Sequence, residues 1–177
     1  MTPVAVMRHV KLELENLLKT YYLKTEEDDV DGFSIDSPPP VLLGQLPHKN
    51  FQPISIEKNG SYMLIGISKP INKSTGDDTY MVPIRVQIGI TSQDEYRPEQ
   101  SNTGYYSAAD MGSYIDLWNI LEYVSSKLNE AQNIDGKFAI DGDIEIGDYT
   151  DSMTTYPYSF GYVEFSLAVP NMNNGWR

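Results

Sequence analysis

Tyr80-Met81-Val82-Pro83-Ile84-Arg85-Val86-Gln87-Ile88-Gly89-Ile90 is the stretch that decides the architecture. Val82, Ile84, Val86, Ile88 and Ile90 fall on one side of an extended chain, Arg85 and Gln87 on the other. That period of two belongs to a strand with one buried face, as in an antiparallel sheet covered on one side. Pro83 has no N–H to donate to a ladder, so the strand is expected to be an edge there or to begin late.

Upstream, residues 51–57 and 62–67 are short strand candidates separated by Lys58-Asn59-Gly60, and Asn-Gly between apolar runs signals a hairpin. Downstream, residues 91–110 form a polar loop holding Pro98 and Gly104. A helix follows, with Ser113 and Asp116 spaced as a capping box and Tyr114, Leu117, Trp118, Leu121, Val124 and Leu128 as its apolar stripe. Two further β segments close the chain. In residues 137–146, Phe138, Ile140, Ile144 and Ile146 share a side, interrupted by a turn-like Asp141-Gly142. In residues 156–169, Val163, Phe165, Leu167 and Val169 share one side and Tyr158, Phe160 and Tyr162 the other, with Gly161 at the change of parity. A glycine there suggests a bulge with positive φ or a close backbone approach.

At the N-terminus, Met7, Val10, Leu14, Leu17, Leu18 and Tyr21 recur at three- and four-residue steps, which predicts an amphipathic helix over 1–24 with Pro3 near its start. Residues 25–50 follow as an acidic and proline-rich loop, containing Glu26-Glu27-Asp28-Asp29-Val30-Asp31 and the extended Pro38-Pro39-Pro40. Residues 51–170 then hold the sheet and central helix, and 171–177 a flexible tail. The expectation is a single α+β domain over 1–177, with a mostly antiparallel four- to five-stranded sheet and two helices packed on one face.

Charge and composition narrow the function. The chain has 13 Lys+Arg against 25 Asp+Glu, a formal charge of −12, which repels phosphate backbones and anionic membranes. No run of about 18 apolar residues is present to span a membrane. There is no cysteine, hence no disulfide and no thiolate metal site. Tyrosine is abundant, 13 against 5 Phe and 2 Trp, and suits half-buried contact surfaces as well as strands. The two histidines, His9 and His48, lack metal-ligand or catalytic neighbours, and no phosphate-binding glycine pattern occurs. Asp141-Gly142-Asp143-Ile144-Glu145, with Asp148 and Asp151, misplaces the glycine a calcium loop needs and instead alternates as a solvated strand face would. No catalytic residue, cofactor site or metal site is expected, and the chain is not expected to be an enzyme.

The closing Tyr156-Pro157-Tyr158-Ser159-Phe160-Gly161-Tyr162-Val163-Glu164-Phe165, running to Val169-Pro170, resembles tail terminator (tail completion, head-tail joining neck) proteins of tailed bacteriophages. So does the order before it: Pro53, the strand from Met81 to Ile90, then Asp110 and Gly112 leading into the helix of Tyr114 to Leu128. The resemblance covers about Pro53 to Pro170. It implies a virion protein assembled in the bacterial cytoplasm as a homo-hexameric ring, which caps the tail tube, stops its growth and meets the head connector or neck. In a contractile tail it would also meet the sheath, and DNA would pass its acidic lumen without specific binding. Interface candidates are Tyr156, Tyr158 and Tyr162 on the tube face, with Pro83 and Arg85 blunting the other face. Alternatives are another neck or tail-tube protein of the same particle, or a monomeric acidic carbohydrate-binding module using Tyr106, Tyr149, Tyr156 and Trp176.

Overall fold

The structure is a computed structural model that describes residues 1–21, 38–44, 61–73, 77–91, 99–100, 106–107, 112–149 and 158–171. Helix α1 (Pro3–Leu17) starts where expected: the Thr2 hydroxyl accepts from the Ala5 N–H at 3.3 Å, and Pro3 occupies the first turn. It ends sooner than 24. A 3₁₀ turn (Leu18–Thr20) tightens the last turn so that Leu18 enters the core, and Tyr21 is already extended, its ring 4.9 Å from that of Tyr123. Residues 22–24 lie outside the described residues, as do 26–31.

Strands β1 (Val41–Leu43), β2 (Tyr62–Ile67), β3 (Thr79–Thr91), β6 (Asn133–Ile134), β7 (Phe138–Asp148) and β8 (Tyr158–Pro170) form one sheet in the order β1-β2-β3-β8-β7-β6. Between β3 and β6 come a separate two-stranded ribbon, β4 (Glu99–Gln100) with β5 (Tyr106–Ser107), and helix α2 (Gly112–Ala131). The sheet is therefore six-stranded and mixed, larger than the four to five strands expected, because β1 runs parallel to β2. β1 lies inside the stretch read as a loop. Pro40 O accepts from Met63 N and Gly44 N donates to Ile65 O, so Pro38–Pro40 leads into a strand in which no proline must donate. Three residues carry no readable period. The proposed partner strand at 51–57 lies outside the described residues, and both edges of β2 are occupied by β1 and β3.

β3 is central, paired with β8 along its whole length. Pro83 is tolerated because β2 stops at Ile67, opposite Ile84. The Pro83 carbonyl, accepting from Ser68 N at 3.1 Å, shows that its N–H position also points toward that vacated ladder edge. The strand is an edge there only on one side.

β7 carries an irregularity. Asp141 stands opposite Ser166 and Glu145 opposite Glu164, so residues 142–144 face Phe165 alone. Two extra residues restore parity, which keeps Ile140 and Ile146 on the same face, and Gly142 supplies the turn at φ +82°. At Gly161 no bulge exists: β8 pairs with β3 in unbroken register and Gly161 is not at positive φ. A Cβ there would sit 2.8 Å from Gly147 O and 3.1–3.2 Å from Leu121 and Leu117, so close approach is the reason for the glycine. The parity does not switch; small residues, Ser159 and Gly161, simply continue the inward face.

That inward face carries Val82, Ile84, Val86, Ile88 and Ile90 of β3 with Val163, Phe165, Leu167 and Val169 of β8, all fully or almost fully buried. α2 packs on them through Leu117, Ile120, Leu121, Val124 and Leu128. Ser113 is no cap: it lies inside α2, buried, with its hydroxyl 3.0 Å from that of Ser159. α1 adds Val6, Val10 and Leu14 to the same core, and Leu18 follows from the 3₁₀ turn. It touches β1, β2 and β6, so the sheet curls far enough for one helix to reach both edge strands. No helix among the described residues is long and apolar enough to cross a membrane.

Candidate functional site

Both helices take the concave face, and no described helix covers the other. Directly opposed residues share a face, so register alone builds that second surface. Leu42, Leu64, Gln87, Tyr162 and Gly147 make one row across five strands. Gly66, Arg85, Glu164 and Glu145 make the next, and Tyr62, Gly89 and Phe160 a third. Two glycines let the rings lie flat. A Cβ on Gly89 would come within 2.8 Å of the Tyr62 ring, and one on Gly147 within 2.8 Å of the Tyr162 hydroxyl. Cross-strand aromatic–glycine pairs of this kind fill the missing side chain's place.

The rings are tied together. Tyr149 extends β7, its N–H donating to Phe160 O at 2.9 Å, and its ring lies 5.4 Å from that of Tyr162. The Arg85 guanidinium sits 5.0 Å above the Tyr162 ring. Tyr62, Arg85, Gln87, Tyr149 and Phe160 border a cleft of about 390 Å³.

Beside the rings lies a charged knot. Arg85 donates through Nε at 2.8 Å and Nη2 at 2.6 Å to Oε2 of Glu164. Oε1 accepts from the Ser68 hydroxyl at 2.9 Å and faces Lys69 Nζ at 3.2 Å. The Glu164 side chain is only 8% exposed. Burial pushes its pKa up, but the hydrogen bonds from Arg85, Ser68 and Lys69 outweigh it and hold the group below the ordinary glutamate value. The same bond raises Arg85, against a lesser opposing effect of burial. The knot is thus charged at neutral pH, and Arg85 is committed within the molecule.

Of the interface candidates, Tyr162 is in this surface, half-buried. Pro83 and Arg85 are on the same face as Tyr162, opposite Ser166 and Glu164, and not on a separate one. The outermost strands are β1 and β6, three and two residues long, and β6 pairs with β7 only at Phe138 and Ala139. Tyr158 pairs with Thr91 at the start of β8; Tyr156 and Trp176 lie outside the described residues, and Tyr106 lies in β5. Asp141, Asp143 and Glu145 are exposed along β7, and Asp148 accepts from the Tyr114 hydroxyl at 3.0 Å. His9 stands 2.8 Å from Asp135, while His48 and Asp151 are outside the described residues. Among the described residues no three His, Asp or Glu gather as metal ligands.

Tyr62, Gln87, Phe160, Ser68, Lys69 and Glu164 are the members not picked out from the sequence. Glu164, a lone acid within an apolar alternation, was the available signal. A scan against protein-family models gave no match, and a search of curated proteins gave none.

Proposed function

We propose that this chain is a structural subunit of a phage or phage-like tail, forming a ring that caps the tail tube and presents a surface for head or neck joining. The observation that carries the reading is the sheet face opposite the two described helices, where half-buried Tyr62, Tyr149 and Phe160 border a cleft, with Tyr162 packed against Tyr149 and the Arg85–Glu164 ion pair beside them. Amphipathic rings held flat on a rigid sheet, with their charge already paired, are what a contact surface uses to gain area at small entropic cost. The outermost strands are very short, and the outer side of β7 beyond Ile140 is interrupted by the irregularity at 142–144 and carries Asp141, Asp143 and Glu145, features that discourage regular strand addition there. A charge of −12 suits a lumen through which DNA slides without adhering.

Assembly reactions lacking this protein are expected to give tubes of uncontrolled length, or tails that do not join heads. Tails of normal length, fully joined, would refute the reading. The same aromatic cleft, with the Gln87 amide on its rim, also favours a second reading as a monomeric carbohydrate-binding module. A ring in solution separates the first from the second.

A further inference from the structure

A ring of identical subunits with head-to-tail contacts needs two different surfaces that fit each other. Resting on the ring reading, we infer that the outward face of α1 of one copy docks in the acidic groove between α2 and the β7 bulge of the next copy. The outward face of α1 presents Val4 and Leu12, 50% and 58% exposed, which are the two most exposed large apolar side chains among the described residues. Arg8 lies exposed between them and Lys11 alongside, in a 3.5 Å pair with Glu15.

Charge separates this helix from the rest. Within α1, Arg8 and Lys11 balance Glu13 and Glu15, while the whole chain stands at −12. Arg8, exposed between the two apolar side chains of this neutral helix, meets its complement on any second copy of so acidic a molecule. The groove has the matching form: about 480 Å³, lined by Glu122, Ser125, Ser126, Asn129, Asp143 and Ile144. Glu122 and Asp143 are exposed there. Ile144 offers an apolar floor to Leu12, and the hydroxyls and amide offer partners to Arg8. The two-residue insertion in β7 acquires a role here, since it carries Asp143 and Ile144 out to the groove. Complementary potentials fix the orientation of such contacts as well as their rate of formation.

The test is a charge exchange read by light scattering after size exclusion, at a concentration where the wild type is a ring. One variant carries Arg8→Glu and Lys11→Glu, the other Glu122→Lys and Asp143→Lys. Helix content and melting are measured first, to establish that both fold as the wild type does. Each alone is expected to be monomeric, and a one-to-one mixture to assemble mixed rings, because every contact in an alternating ring is then complementary. Rising salt should loosen the wild-type ring. Wild-type rings with either variant still assembling alone, or with the mixture remaining monomeric, overturn the inference and leave the ring reading standing. A wild type that stays monomeric at its highest soluble concentration, with and without tube protein, overturns both.

Discussion

Glu164 shows how one residue ties together the sheet face opposite the two described helices. Its carboxylate satisfies Arg85, Ser68 and Lys69 together, joining β8 to β3 and to the segment that leaves β2. The sign of its pH dependence follows from a pKa depressed in the folded state. The contribution is full above the unfolded value of about 4.3 and disappears as pH falls through the lower folded value. Glu164→Gln is expected to lower stability by about 1–3 kcal/mol near neutral pH, with the difference shrinking in acid. Urea melts of both proteins at neutral and acid pH measure this, and a constant gap would contradict it. At Gly161 a methyl group would strike the backbone carbonyl of Gly147, which cannot swing aside as a side chain can. Gly161→Ala should therefore cost about 1–3 kcal/mol through overpacking, and an unchanged melting temperature would contradict the close approach.

Among the elements, β3, β8 and α2 were legible because each is long enough for its period to repeat. Val86 illustrates the consequence: fully buried between β2 and β8, opposite Ile65 and Val163. Val86→Asp places a charge with no partner in that core and is expected to cost several kcal/mol, about enough to prevent folding; wild-type-like melting would refute the packing. β1 and β6 were not legible, since three and two residues cannot show a period and their place depends on pairing with residues far away in sequence. The same holds for the aromatic surface. Tyr162 stood out by its neighbours in sequence, whereas Tyr62, Gln87 and Glu164 join it only through strand register. Pro83 misled for a related reason: whether a proline disturbs a ladder depends on where the adjacent strand stops.

At the scale of the whole molecule, the two described helices fill the hollow of a curled sheet, and half-buried rings lie on the opposite face. A ring subunit would put that face toward the tube and spend its lateral contacts elsewhere, on α1 and the acidic groove. The most direct measurement is negative-stain imaging of the purified protein, alone and mixed with tube subunits. The account predicts closed rings with a central hole, seated on tube ends when tubes are present. Monomers under both conditions, with tube ends left bare, would contradict it.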